Sequence, residues 1–475
     1  MPRPWPDEPP RPWHRAAYAE ARPRPFWLDD LPRREPHPPL GGAVEAGVCI
    51  VGGGFTGLWA ALHAKRLDPG ADVVVLEAQT CGAGASGRNG GIAQASLTHG
   101  LENGLARFAD EMDTLERLGL ENFGELRADL ERYQIDAQLH AGGDLTVALE
   151  PHELDELSEA AALMRRYGHD AAVLGRDEVR AELDSPTYLG GLFDRTGSAI
   201  LHPGRLVDGL RAAAVAAGVR VYEHTPALGL ARRGAGIAVR TPAGSVHAER
   251  ALVATSAYPS PLRALRHYIA PVYDYALMSE PLTAEQQRRI GWARPFSVGD
   301  AANQFHYYRQ TRDGRILWGG YDAVYRFGGP VADHLDEHEA TFGKLAQHFF
   351  TTFPQLEGLR FSHRWGGAID TCSRFSVFFG RAHGGRVVYA AGYTGLGVCA
   401  SRFGARVAVE LLNGRDGAVT RLRYVRSRPL PFPPEPLRYG VISLTRNRLA
   451  AADRRQGRRG LWLRTLDRLG LGFDS

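Results

Sequence analysis

The chain has 475 residues, 44% of them hydrophobic and 23% charged, with a formal net charge of +4. That length exceeds a single simple core and predicts two or three compact units. The small net charge gives weak steering toward a polyanion, and no apolar run is long enough to read as a membrane-spanning helix.

Residues 1–44 are proline-rich, and proline removes backbone donors and fixes φ, so regular structure is not expected there. Trp5, Trp13, Phe26 and Trp27 favour an arm that packs on the body. The segment has no apolar stretch of the kind a signal peptide carries. An apolar run Val48–Val51 then leads into glycines, a helical pattern over Leu58–Leu67 and a second apolar run Val73–Leu76 ending at Glu77, which is a strand–turn–helix–strand unit. Residues 101–133 read as helix. Val219–Tyr222, Ala251–Ala254 and Val387–Ala391 read as further strands, the last followed by a glycine turn and a helix. Between them, alternating runs such as Gln304–Tyr308 and Arg315–Trp318 suggest an antiparallel sheet.

The expected fold class is therefore α/β plus α+β, a Rossmann-type nucleotide-binding domain interrupted by an antiparallel-sheet substrate domain. The expected nucleotide-binding segments are 45–140, 196–260 and 365–415, and the substrate segments are 141–195 and 261–364. An arginine-rich tail, 416–475, reads as docked helices with a solvated basic face. Nucleic acid is not the partner expected for it, because no aromatic stacking pattern accompanies the charge.

Gly52, Gly54 and Gly57 form G-x-G-x-x-G between strand and helix, with Glu77 ending the next strand. That context is what a dinucleotide site requires. The first glycine allows the turn, the second lets backbone approach a pyrophosphate, the third lets helix and strand pack, and the acid takes the ribose hydroxyls. The expected cofactor set here is Gly52, Gly54, Phe55, Thr56, Gly57, Glu77 and Ala78. Gly82–Gly91 holds five glycines in ten residues with no apolar anchor, which suits backbone lying against a large ligand. Its expected members are Ala85, Ser86, Gly87, Arg88, Asn89, Gly90 and Gly91.

These motifs resemble the D-amino-acid-oxidase-like FAD-dependent oxidoreductases, and within them the gamma-glutamylputrescine oxidases and aminophosphonate oxidoreductases. The likeness spans about residues 45–413. His202, Pro203 and Leu206 resemble the family's helix-opening motif, Thr225–Ala227 its adenine contact, Ala254 and Thr255 its strand end near pyrophosphate, and Gly392–Val398 its C-terminal flavin loop. The resemblance implies FAD bound by Ala227, Ala254, Thr255, Gly392, Tyr393, Gly395, Leu396, Gly397 and Val398 as well. Between Asp370 and Gly380 the sequence departs from the family pattern.

The implied reaction is oxidation of the C–N bond of a small amine, amino acid or aminophosphonate by hydride transfer to flavin N5, with hydrolysis of the imine. No catalytic base is obligatory and no metal is expected. An arginine fork would suit an acidic substrate group, with Arg88, Arg309, Arg374 and Arg402 as candidates. Tyr308, Arg309 and Arg88 are the expected catalytic residues. The electron acceptor is O₂ or another oxidant. The sarcosine-oxidase-like relatives place a lysine over the flavin, but Lys65 and Lys344 are the only lysines here. Lys65 falls in the first helix and Lys344 on a surface position beside a core stripe, leaving Arg309 and His306 as other cations. Cys49, Cys81, Cys372 and Cys399 form no C-x-x-C pair, so a reduced, cytoplasmic setting fits. Cys372 is offset from the position where some relatives attach flavin, so FAD is expected to be non-covalent. The competing readings are an NAD(P)-dependent dehydrogenase, which leaves the Gly82–Gly91 loop unexplained, and a nucleic-acid-associated flavoprotein using the basic tail.

Overall fold

The glycine fingerprint lies at the centre of an eight-stranded sheet. In the computed structural model, which describes residues 4–6 and 8–472, strand Gly42–Val51 is flanked in parallel by Gly244–Val253 and Val73–Leu76. Arg220–Tyr222 extends one side and Val387–Ala391 the other, both in parallel. Val48–Val51, Val73–Leu76, Ala251–Val253 and Val387–Ala391 are apolar because both faces of the sheet are covered there. Val48, Ile50, Val73 and Val75 face helices Phe55–Leu67 and Gly397–Leu412. Cys49, Val51, Val74 and Leu76 face a second layer built on the hairpin Gly229–Arg233/Gly236–Arg240.

The second sheet has ten strands and is mostly antiparallel. Its central order is Phe361–Thr371, Ala270–Ser279, Ile316–Gly320, His306–Gln310, Ser297–Asp300 and Asp144–Ala148. Only the last of these neighbours, and the short strand Arg22–Pro23 against Phe361–Thr371, pair in parallel. One face packs on helix Glu339–Thr352, where Phe342, Leu345, Phe349 and Phe353 meet Tyr308 and Trp318. The opposite face looks into the cavity described below.

Three expectations change. The N-terminal arm is not without regular structure, since it forms helix Pro12–Tyr18 and strand Arg22–Pro23. Proline at the first helical position loses no intrahelical bond, which is why a proline-rich stretch can start a helix. The arm docks on the body, with Trp5, Phe26 and Trp27 buried and Trp13 partly exposed. The helix expected over 101–133 is two, Leu101–Phe108 and Met112–Arg132. The substrate sheet also passes the expected boundary at 365, because strand Phe361–Thr371 stays paired with Ala270–Ser279 throughout. Gly366 interrupts its apolar pattern because the Tyr275 ring lies where a side chain would be.

Candidate active site

One cavity of about 1660 Å³ runs from the glycine fingerprint across the face of the large sheet. That exceeds the roughly 300–1,000 Å³ of an ordinary ligand pocket, as a dinucleotide and a substrate together require. Gly52, Gly54, Phe55, Thr56, Glu77 and Ala78 border it, with Ala85, Ser86, Arg88, Asn89 and Gly90. So do Ala227, Ala254, Thr255, Tyr393, Gly395, Leu396, Gly397 and Val398. Elements nearly 350 residues apart are thus brought to one space by the parallel strand ends.

The remaining four expected residues lie outside the cavity lining and act as packing positions. Gly57 faces the Gly52 carbonyl, and Gly87 lies against Leu28 of the N-terminal arm. Gly91 sits against Leu201, and Gly392, at φ 84°, against Phe378 and Cys372. None has room for a Cβ, so their need for glycine is steric.

The local chemistry suits a bound dinucleotide. Gly54 precedes helix Phe55–Leu67, and a Cβ there would come within 2.8 Å of Ser86 Oγ. Glu77 accepts hydrogen bonds from Gly53 N at 2.7 Å and Gln79 N at 2.9 Å. Burial pushes its carboxyl up, opposed by those N–H donors. The Thr225 N–H donates to the Glu77 carbonyl at 2.7 Å, which ties the expected adenine segment to the expected ribose acid. Thr56 Oγ1 donates to the Tyr393 hydroxyl at 2.9 Å, joining the first helix to the late glycine loop. Asp370 accepts from Gly392 N at 2.7 Å, and in the divergent stretch after it the Cys372 N–H donates to Thr394 Oγ1 at 3.2 Å, so that stretch is tied to the loop too.

The expected catalytic residues are placed differently. Tyr308 is buried on the helix side of the sheet, hydrogen-bonded to the Tyr188 hydroxyl at 2.6 Å. Side chains alternate along a strand, so its neighbour Tyr307 takes the cavity side. Arg309 shares the face of Tyr307 but is buried under the Trp27 ring. It donates to the Gly90 carbonyl at 2.8 Å and to the Leu201 carbonyl at 2.5 Å. Burial without a carboxylate partner pushes its pKa down to about 9. It buttresses the glycine loop and does not reach the cavity. Arg88 does border the cavity, yet its guanidinium is held by Asp336 and by the Ala83 and Gly366 carbonyls.

The other arginine candidates are also committed. Arg402 is bound to Asp129 and Glu125, and Arg374 to the Ser376 and Ser427 carbonyls. His306 is buried between Asp300 and His348. Lys65 donates to the Pro69 and Ala71 carbonyls at its helix end. Lys344 is 43% exposed and paired with Asp322 at 3.0 Å, beside buried Phe342, Leu345, Phe349 and Phe350.

Two cavity residues were missed. The Tyr307 hydroxyl donates to Asp274 Oδ2 at 2.7 Å, and both border the cavity beside Gly90. Burial pushes the Asp274 carboxyl up to about 6, opposed by the bonds from Tyr307 and from the Tyr275 and Gly320 N–H groups. A lone acid inside the apolar strand Ala270–Ser279 was the available signal, since burying it there has a cost that a purely structural strand has no reason to bear.

Residues 47–411 match the family described as DAO, FAD dependent oxidoreductase. The chain belongs to that family and is an FAD-dependent oxidoreductase. It is 35% identical over 388 residues to gamma-glutamylputrescine oxidoreductase of Escherichia coli (strain K12), covering 80% of this chain and 86% of that one. It is 29% identical over 401 residues to "Probable oxidoreductase OrdL" of Haemophilus influenzae, covering 83% and 89%. Glycine oxidase from Geobacillus kaustophilus superposes with a TM-score of 0.66 at 20% identity, covering 81% of this chain and 99% of that one, which shows the shared fold. Among the described residues no helix is long and apolar enough to cross a membrane.

Proposed function

We propose that the protein oxidises the C–N bond of a small aliphatic amine to an imine, which water then hydrolyses to a carbonyl compound and the released amine. FAD, when bound, accepts the hydride that leaves the substrate carbon. Gly52, Gly54 and the first turn of helix Phe55–Leu67 would hold its pyrophosphate, Glu77 its ribose, and the Gly395–Val398 turn its ring end.

The observation that carries this reading is the Asp274–Tyr307 pair on the cavity wall beside the glycine loop. An ionised Asp274 would hold the cationic amine. With its pKa raised to about 6 by burial, it also takes a proton more readily than an ordinary aspartate. Tyr307 would keep the reacting oxygen in place. Asp144, pushed up to about 6, and Glu153, pushed up to about 7, both by burial, add acidic wall to the same cavity. The four arginines considered for an anion clamp all carry protein partners, which favours an amine over an amino acid or aminophosphonate. The relative named gamma-glutamylputrescine oxidoreductase supports the same class.

The flavin is proposed to be non-covalent. The Cys372 thiol is buried and hydrogen-bonded to the Ser376 and Gly392 carbonyls, and burial raises its pKa, so it stays protonated and unreactive. All four cysteines are unpaired, which fits a reducing cytoplasmic setting. The acceptor is O₂ or another oxidant, reached without a lysine on the cavity wall. Anaerobic titration of the yellow protein with alkylamines, diamines, amino acids and aminophosphonates tests the reading. Amines should bleach the flavin. Bleaching by amino acids or aminophosphonates alone would overturn it.

A further inference from the structure

The family match ends at residue 411, but the cavity wall does not. Beyond the matched residues the chain runs back along the cavity and borders it, anchored at several points. Ser373 Oγ donates to the Leu430 carbonyl at 2.7 Å, beside the late glycine loop. Tyr325 OH donates to Glu435 at 2.6 Å. Buried Asp453 accepts from Asn303 N at 3.1 Å, Asn303 Nδ2 at 2.6 Å and Gln304 N at 3.0 Å, at the turn that leads into the Tyr307 strand. Gly457 lies against His152 and Glu156 of helix Pro151–Arg166. The Gly472 carbonyl accepts from Arg107 at 2.9 Å.

Helix Leu437–Asp453 presents one face to the cavity. Ile442, Thr445, Leu449 and Asp453 recur every three or four residues and border it. Leu444 and Arg448 of the same helix are exposed. Helix Pro151–Arg166 contributes Leu157, Leu163 and Met164 to the same cavity. Aliphatic side chains from two helices, one of them outside the family match, therefore border the same cavity, interspersed with the charged groups of Glu153, Glu156, Glu159 and Arg446. The aliphatic part of that wall suits the methylene chain of an amine, because removing apolar surface from water is favourable.

We propose that residues 430–472 form the outer wall of the substrate channel, and that Ile442 and Leu449 set the length of aliphatic amine the enzyme accepts. The proposal rests on the amine reading above. Asp453 is a positioning residue that holds this helix on the Asn303–Gln304 turn.

The test is made on the full-length, flavin-loaded protein. All four native cysteines are buried, so in Ile442→Cys the new thiol is the reactive one. It is labelled with a hexyl methanethiosulfonate in the presence of primary amines from ethylamine to decylamine. Decylamine should slow labelling and ethylamine should not. The labelled enzyme should lose about tenfold or more in kcat/KM for decylamine and keep its value for ethylamine. Leu444→Cys, labelled the same way, should leave the chain-length profile unchanged. Leu449→Cys serves if Ile442→Cys loses its flavin. Bleaching by amines without protection of the thiol, or an equal effect of the label at Leu444→Cys, would overturn the channel. Protection without bleaching by any amine would overturn the amine reading and support the channel, and neither effect would overturn both.

Discussion

The Tyr307 hydroxyl reaches Asp274 by passing over the strand between them. Ile316–Gly320 separates the two strands in the sheet, and the Tyr307 ring lies against Gly319, where a Cβ would come within 2.7 Å of it. A glycine in the middle strand thus permits a side-chain bond across it at the cavity wall.

If Asp274 binds the amine, the acid limb of the pH profile belongs to it. Its pKa is raised to about 6, so kcat/KM should fall as pH drops through that value. Asp274→Asn should abolish the limb and lower kcat/KM at alkaline pH by roughly 2 kcal/mol, about thirtyfold. In Tyr307→Phe a bond that lowers the pKa is lost, so the limb should move to higher pH. The stability effect has the opposite sign. A carboxyl raised in the fold stabilises most below its ordinary value and loses that contribution as pH rises through about 6. Asp274→Asn should therefore melt no lower than wild type at alkaline pH. Stopped-flow reduction and thermal melts across pH check both effects, and an unchanged acid limb would remove Asp274 from the site.

Gly54→Val should yield a folded but colourless protein. Its side chain would enter the space beside Ser86 Oγ, only 2.8 Å from an ideal Cβ, and close the expected pyrophosphate path. Circular dichroism and flavin absorbance check fold and cofactor separately. Yellow protein of wild-type stoichiometry would contradict the expectation.

Arg309→Met should weaken the glycine loop without touching substrate. It strips donors from the Gly90 carbonyl at the cavity wall and from the buried Leu201 carbonyl. The cost should be roughly 1–3 kcal/mol of stability with weaker FAD retention. KM for the amine should stay within about twofold in the fully loaded enzyme. A selective rise in KM would restore Arg309 as a substrate contact.

Lys344→Met should leave reoxidation of the reduced flavin by O₂ unchanged, because the ammonium is bonded to Asp322 and 43% exposed. A loss of about a hundredfold, near 3 kcal/mol in barrier, would show that this lysine serves oxygen. Rapid mixing of reduced protein with oxygenated buffer measures it.

The cofactor half of the site was legible in the sequence because local backbone demands specify it. Gly52, Gly54 and Glu77 announce a turn, a close approach and a ribose acid at a fixed spacing along adjacent segments. The substrate half was not. His306–Gln310 carries polar residues on both faces, so its hydrophobic pattern does not tell which of Tyr307 and Tyr308 meets the cavity. Pairing with Ile316–Gly320 and packing on helix Glu339–Thr352 decide that phase. Arginine count likewise could not separate a clamp from a buttress, since Arg309 and Arg402 differ from surface arginines only in what folds around them. The sequence alone thus determined the nucleotide-binding fold and its family. The tertiary structure decided which side chains share the cavity and that the C-terminal segment borders it, because those contacts join residues far apart in the chain and leave no local pattern.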